Sequence, residues 1–298
     1  MTRGSASPNP DISPRRAPAV PVLVPRRRSR RSPLALWHLL SLDAPSVAAV
    51  WTIFLARAAE LRLPWVEPVA MFVAVWMIYA GDRLLDARSG SDGLEERHRF
   101  HHAHRSAFLC GIVAGALALV YLLHRTDVRT LRLYALLAAL LAAWLLVVHA
   151  SARSRGQRLP KEIAVGLFFA AAVFIPTVGR LPGSRALLLP TAMLFAGVCA
   201  LNCLFLYAWE HPGSRPEAHG STRWATRHLN ALAAALVVAA VTLAVLQRGR
   251  VGKAPAVACG VSAGLLWGLH RVRGRVLAVH LRAAADLVLL TPVLWLLR

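Results

Sequence analysis

Residues 186–209 read ALLLPTAMLFAGVCALNCLFLYAW, a run of 24 residues without a charged side chain. A helix needs roughly 20 apolar residues to cross the hydrocarbon core of a bilayer, so this run predicts a membrane span. The pattern recurs along the chain and predicts an all-α, polytopic membrane bundle of about nine transmembrane helices. The predicted spans are 44–60, 64–81, 107–123, 131–149, 162–178, 186–209, 229–246, 254–270 and 276–297.

The composition excludes an ordinary soluble enzyme. Of the 298 residues, 57% are hydrophobic and 16% are charged, whereas soluble domains carry about a quarter of charged residues. The four cysteines lie inside apolar runs without CxxC spacing, so neither a disulfide framework nor a zinc finger is indicated. They are Cys110, Cys199, Cys203 and Cys259.

The distribution of positive charge predicts the topology. The net charge is +21, and 23 of the 35 Lys and Arg fall in the N-terminal arm and in the loops on one side of the predicted spans. The positive-inside rule therefore predicts a cytoplasmic N-terminus, and an odd number of spans predicts a C-terminus outside. Because the charge is scattered among loops, no nucleic-acid partner is expected.

Residues 1–34 contain eight Arg together with many Pro and Ser. This composition predicts a disordered, basic cytoplasmic arm, which anionic lipids of the inner leaflet attract. Residues 35–298 are predicted to form the transmembrane domain.

The loop after the second span carries the first candidate site. Residues 78–88 read IYAGDRLLDAR, and a helix continuing out of the span places Asp82 and Asp86 one turn apart on one face. Two carboxylates in this arrangement repel each other unless a cation lies between them. Oxygen ligands at a membrane edge suit Mg²⁺. The alternative is a solvated helix end in which both acids pair with Arg83 and Arg88.

The end of the sixth span carries the second candidate site. Asn202 and Glu210 lie about two turns apart on this helix. A polar side chain in an apolar span is expensive and is expected to face the bundle interior, which makes Asn202 a site candidate. The alternative for Asn202 is a hydrogen bond that holds two helices together.

Several other features of the sequence have structural interpretations. Asp43 and Asp286 are acids in costly positions at or within spans, and Asp286 is expected to pair with Arg282 one turn away. The histidine-rich segment 98–104 is interpreted as a loop helix on the head groups or a lid over the site. Small residues in GxxxG patterns are expected to pack spans closely. These glycines are Gly111, Gly115, Gly260, Gly264 and Gly268.

The first acidic segment resembles a motif of the UbiA superfamily of intramembrane prenyltransferases, whose members have nine spans and acidic motifs after spans 2 and 6. The family's first motif reads N-D-x-x-D-x-x-x-D, and residues 78–86 read IYAGDRLLD. Asp82 and Asp86 match this motif, and Arg83 matches an arginine that often follows its middle Asp. An isoleucine and a tyrosine replace its leading Asn and Asp.

The second segment is similar to the family's second motif, which combines a polar residue, Tyr-Ala and a terminal acid. Asn202, Tyr207, Ala208 and Glu210 match these positions. The resemblance covers about residues 36–297.

The resemblance implies a Mg²⁺-dependent transferase that moves an isoprenyl group from a prenyl diphosphate to an aromatic or lipid acceptor. In such enzymes the metal and basic groups neutralise the departing diphosphate, and apolar helices exclude water from the allylic carbocation. The implied catalytic residues are Asp82, Asp86, Asn202 and Glu210, with Asp82, Asp86 and Glu210 as metal ligands. The diphosphate-binding residues implied are Arg83, Arg88, Arg153, Arg158 and Lys161.

Other classes of membrane protein fit the sequence as alternatives. A catalytically impaired relative would bind an isoprenoid or act as a scaffold for other membrane enzymes. A CDP-alcohol phosphotransferase would need two residues between its first acids, whereas three separate Asp82 from Asp86. A transporter would be expected to show internal repeats or paired broken helices, which the sequence does not display.

Overall fold

The structure is a computed structural model that describes residues 32–86, 96–155, 161–181, 183, 185–211, 218–247 and 253–297. The side chains of residues 86, 96–98, 149–155 and 278–279 are outside this description. Residues 1–31 of the predicted basic arm, Arg88 and Arg158 also lie outside the described residues.

The described residues form α-helices joined by short connections. A single 3-10 turn, Arg273–Arg275, separates two of them. The helices are α1 (Pro33–Leu39), α2 (Asp43–Ala58), α3 (Val66–Asp86), α4 (Glu96–Ala103), α5 (Arg105–His124), α6 (Val128–Arg155), α7 (Lys161–Arg180), α8 (Arg185–Glu210), α9 (Gly220–Arg227), α10 (Leu229–Leu246), α11 (Ala254–Val272), α12 (Ala278–Val288) and α13 (Val293–Leu296).

The predicted class, an all-α multi-pass membrane protein, is confirmed. Within the described ranges, six helices are long and apolar enough to cross a membrane. They are α3, α5, α6, α7, α8 and α10. The pair of α1 and α2, bent by 90°, would make a seventh if it counts as one span.

Three of the nine predicted spans lack a single long apolar helix, each for a local reason. The span predicted at 44–60 corresponds to α2, which has only 16 residues. In α11 the last turn carries His270 and Arg271, which lower the apolar character of the helix. The span predicted at 276–297 is divided between α12 and α13, with Pro292 at the start of the second piece.

The core lies where α2, α7, α8 and α11 meet. Trp51 of α2 is fully buried, its ring centroid is 4.1 Å from that of Phe195, and its indole N–H donates to the Leu289 carbonyl at 2.7 Å. Helices α7 and α8 approach to backbone contact at Gly166, where a Cβ atom would lie 2.7 Å from the Ala196 carbonyl oxygen. In contrast, α5, α6 and α10 bury few of their side chains inside the bundle, as expected for helices that face lipid.

The glycine patterns partly match the predicted close packing. A Cβ atom on Gly111 would lie 2.8 Å from the Trp76 ring, and one on Gly115 would lie 3.2 Å from Met77, so α5 packs on α3 through these glycines. Gly260 lies against Ala240 in the same way. Gly264 and Gly268 have no such neighbour within 4 Å among the described residues.

An ionic network holds the N-terminal end of α3. Arg180 donates to Glu67 at 2.9 Å and lies 3.3 Å from Asp127, which precedes α6. Partial burial acts to raise the pKa of Asp127, but two hydrogen bonds from Thr130 and the Arg180 charge outweigh it and hold this pKa below its ordinary value. This network fastens α3, α6 and α7 at the end of α3 that is remote from the two acids of the first motif.

Candidate functional site

A buried ion pair lies at the opposite end of α3. The Arg83 guanidinium is 3.4 Å from Asp43 Oδ2, and His38 Nδ1 is 2.6 Å from the same oxygen. Asp43 Oδ1 also accepts a hydrogen bond from the Ala44 N–H at 3.0 Å. All three side chains are almost fully buried. Because a lone buried charge is expensive, this pairing explains how an acid and an arginine lie inside an apolar bundle.

The connection between α1 and α2 is bound to the same arginine. Ser41 adopts a φ of 58°, an uncommon conformation for a residue with a side chain. Its hydroxyl accepts a hydrogen bond from Arg83 at 2.7 Å and lies 3.0 Å from His101 Nε2. Arg83 also donates to the His38 carbonyl at 2.8 Å. This strained connection at Ser41, called the elbow below, is thus held by contacts from α3 and α4.

The histidine-rich segment takes part in this arrangement. Part of it forms α4, and His101 is fully buried with its ring 4.0 Å from that of Phe108. Helix α4 therefore packs onto the elbow through one histidine.

Asp286 of α12 brings a second carboxylate to the cluster. Single ligand atoms of Asp286, Asp43 and His38 all lie within 4.8 Å of one another. Asn202 Nδ2 of α8 donates to Asp286 Oδ1 at 2.9 Å. The cluster therefore joins α1, α2, α3, α8 and α12.

A small cavity opens beside these two side chains. Its volume is about 30 Å³, enough for about two water molecules. Asp286, Asn202 and Tyr79 supply polar groups to its wall, and Phe169 and Leu289 contribute apolar surface. Tyr79 belongs to the first motif segment and Asn202 to the second, so both segments singled out in the sequence border one cavity.

The remaining predicted site residues lie in different surroundings. Glu210 is 2.5 Å from the Arg282 guanidinium, in a half-buried ion pair. Asp82 and Lys161 have exposed side chains. Asp86 is the last residue of α3. Arg153 lies in the last turn of α6.

The polar partner of Asp286 differs from the predicted one. Asp286 was expected to pair with Arg282 on its own helix, but Arg282 reaches Glu210 of α8, and Asp286 accepts from Asn202. Both contacts join α8 to α12, which run antiparallel here because Asn202 precedes Glu210 while Asp286 follows Arg282.

The donor chemistry of Asp82, Asp86 and Glu210 fits Mg²⁺, which prefers carboxylate oxygens and water. In the structure the Glu210 carboxylate already forms an ion pair with the Arg282 guanidinium at 2.5 Å. The contact involves Oε1 of Glu210, so a Mg²⁺ ion bound to this carboxylate would lie close to a second positive charge and would be repelled by it. The buried set of His38, Asp43 and Asp286 suits Mg²⁺ less well, because Arg83 already occupies Asp43.

Sequence reasoning missed His38, Ser41 and His101 as members of the polar cluster. His38 and Asp43 meet only because the chain turns by 90° between α1 and α2, and this turn left no recognised signal in the sequence. The presence of acids in apolar surroundings did flag Asp43 and Asp286. Comparisons of the chain with protein-family models, curated proteins and solved structures find no match.

Proposed function

We propose that this protein is an intramembrane prenyltransferase that moves an isoprenyl group from a prenyl diphosphate to a hydrophobic or aromatic acceptor. The observation that carries the proposal is the shared cavity: Tyr79 of α3 and Asn202 of α8, one from each motif segment, line it together with Asp286. Polar side chains facing an apolar cavity inside a membrane bundle mark a functional site.

Each part of the site has a role in this proposal. Asp82, Asp86 and Glu210 are the proposed ligands of Mg²⁺, which when bound would neutralise the negative charge of the diphosphate group. Lys161, exposed at the start of α7, and Arg153 are proposed to attract the donor's phosphates. Apolar walls such as Phe169 and Leu289 would exclude water from the reacting carbon.

Arg83 is proposed to act differently from the other basic residues. It lies buried against Asp43, with further hydrogen bonds to the elbow. Its contribution is therefore to position α3 relative to α1 and α2, rather than to bind phosphate in the arrangement described.

Entry of an isoprenyl chain requires the bundle to open. A cavity of about 30 Å³ holds about two water molecules and no isoprenyl unit. We propose that the donor enters between the ends of α3 and α8, with the Glu210 and Arg282 pair opening as it binds.

The proposed placement in the membrane is that of the UbiA-like arrangement. It has nine spans, a cytoplasmic N-terminus, a C-terminus outside and a site near the cytoplasmic face. The basic arm would then lie on the anionic inner leaflet.

A second candidate function is isoprenoid binding or scaffolding without catalysis. The observation that favours it is that charged side chains of the site pair with each other inside the protein. Arg282 forms an ion pair with Glu210, and Asp43 forms one with Arg83. A protein that binds only the apolar chain of an isoprenoid has no need of exposed charges at this position.

Turnover distinguishes the two functions. Purified protein in nanodiscs is incubated with radiolabelled farnesyl or geranylgeranyl diphosphate, Mg²⁺ and membrane lipids, and pyrophosphate release is followed. A transferase releases pyrophosphate, and Asp82→Asn with Asp86→Asn abolishes the release while Asp127→Asn, at the other end of α3, does not. Absence of release from the wild-type protein with every donor and acceptor class tested favours the binding function.

A further inference from the structure

The charges in the buried cluster balance without a further cation only if His38 is protonated. Asp43 is compensated by Arg83, and it also accepts hydrogen bonds from His38 and the Ala44 N–H. Asp286 lies beside this compensated pair and accepts a hydrogen bond from the Asn202 amide, which brings no charge. With His38 neutral, two carboxylates and one guanidinium leave one negative charge, and the interior of a membrane bundle strongly disfavours an uncompensated charge.

Asn202 supplies an independent sign of a ligand. Its side chain is only 6% exposed, and its Oδ1 atom accepts no hydrogen bond from any residue in the described part of the chain. Buried carbonyl oxygens in native proteins almost always have a donor or a cation. The Asn202 amide thus satisfies Asp286 through its nitrogen and leaves an oxygen ready for a positively charged or hydrogen-bonding ligand.

The adjoining cavity has room for a small ligand. Asp286, Asn202 and Tyr79 all border it, and its 30 Å³ hold about two water molecules. Mg²⁺ binds with several of its waters retained and would also leave an excess positive charge. A proton, or Na⁺ with one water, fits both the volume and the missing charge.

We propose that Asp286 and Asn202 form an exchangeable site for a small monovalent cation, H⁺ or Na⁺. Asp286 supplies the negative charge, and Asn202 Oδ1 supplies a neutral oxygen ligand to Na⁺ or accepts from a cavity water when Asp286 is protonated. The site shares Asn202 and its cavity with the proposed prenyl-transfer site, but none of its members is a proposed Mg²⁺ ligand, so its cation binding is measured separately from prenyl transfer. The ionisable groups that face Asp286 from neighbouring helices are His38, Asp43, Tyr79, Arg83, Cys199 and Cys203.

Occupancy should stabilise the bundle, since the cation neutralises a group that joins α8 to α12. The unfolding temperature of the purified full-length protein is measured against NaCl at pH 6 and pH 9, with choline chloride holding the ionic strength constant. A hundredfold excess of Na⁺ over its dissociation constant should raise the unfolding temperature by roughly 5 °C or more at pH 9. Protons should raise it at pH 6 and weaken the response to Na⁺.

Two variants locate the effect. Asp286→Asn should not respond to Na⁺ and should lose the part of the pH response that Asp286 supplies, whereas Asn202→Ala should bind Na⁺ at least about tenfold more weakly and keep its response to pH. Asp127→Asn is the matched control, because it removes an acid at the remote end of α3 and should respond like the wild type.

The wild-type protein alone also tests the site, in case Asp286→Asn fails to fold. Equilibrium binding of ²²Na⁺ and proton release on Na⁺ addition are measured at pH 8. One Na⁺ bound with a proton released supports both cations in competition. Without Na⁺ binding, proton uptake that exceeds the uptake by Asp286→Asn supports H⁺ alone. No Na⁺ binding together with equal proton uptake by the wild type and Asp286→Asn, or a Na⁺ response that persists in Asp286→Asn, would overturn the proposal.

Discussion

Asn202 of α8 donates a hydrogen bond to Asp286 of α12 at 2.9 Å, across 84 residues of sequence. The contact ties a helix in the middle of the chain to one near its end, and it joins a buried Asn202 to a partly buried Asp286. Two turns further along α8, Glu210 meets Arg282 of the same partner helix. Polar pairs therefore fix the register between α8 and α12 beside the cavity.

The Arg83 and Asp43 pair should be essential to stability. Replacing Arg83 with Met leaves Asp43 buried without its guanidinium, and breaking such a pair costs about 3–5 kcal/mol of unfolding free energy. The double variant Arg83→Met with Asp43→Asn should recover a large part of the loss, because no charge remains uncompensated there. Unfolding in mixed micelles measures both values. Arg129→Met, at an exposed arginine, is the control, and an equal loss there would contradict the expectation.

The Glu210 and Arg282 pair should compete with Mg²⁺. Arg282→Gln removes the positive charge beside Glu210 and is expected to tighten Mg²⁺ binding by about tenfold, or ~1.4 kcal/mol. Calorimetric titration of Mg²⁺ in the presence of farnesyl diphosphate measures the change. Arg273→Gln alters an exposed arginine at the end of α11 and serves as the comparison. Equal Mg²⁺ affinity in Arg282→Gln and the wild type would mean that Glu210 is not a ligand.

The contact of α7 with α8 should tolerate no side chain at Gly166. A Cβ atom there would lie 2.7 Å from the Ala196 carbonyl and 2.8 Å from the Ala200 nitrogen, and backbone atoms cannot move aside as a side chain can. Gly166→Ala should therefore cost about 1–3 kcal/mol of unfolding free energy. Gly268→Ala places the same methyl group where nothing lies within 4 Å and should cost nothing. A similar loss for both variants would show that the close approach is not the cause.

Asp127 should contribute a small, pH-dependent part of the stability. Its pKa is below the ordinary value of 3.8 in the folded protein, so its stabilising effect is present above that value and is lost as the pH falls through the folded pKa. The difference in unfolding free energy between wild type and Asp127→Asn should be at most about 1 kcal/mol at pH 6, since the group is partly exposed. It should shrink progressively below about pH 5. A difference that grows on acidification would contradict this ionic role.

The sequence was a good guide to the class of fold but a weaker one to individual helices. Apolar runs identified every helix that is long enough to cross a membrane, because burial in lipid demands such runs. The division of the last predicted span into α12 and α13 was not foreseen. Hydropathy averages over a window and does not register the break that Pro292 introduces.

The site could be predicted only in part, because contacts between helices depend on packing that the sequence pattern does not show. Asn202 and Asp286 stand out in sequence because polar groups in apolar spans are costly, and the structure brings the two together. His38 and Ser41 did not stand out, because their meeting with Arg83 depends on a bend and on helix packing. The choice of Arg282 between Asp286 and Glu210 likewise depends on how α12 lies against α8, which spacing along one helix does not specify.

The most direct test of the proposed transferase is the binding of farnesyl and geranylgeranyl diphosphate to the purified protein with and without Mg²⁺. Wild type is compared with Asp82→Ala plus Asp86→Ala, and folding of both is checked by the unfolding temperature. We expect binding that requires Mg²⁺ and that weakens by at least about a hundredfold in the double variant, since charged ligands between protein and diphosphate would be lost. Binding that is equally strong without Mg²⁺, or in the double variant, would contradict the transferase and indicate a protein that recognises only the isoprenoid chain.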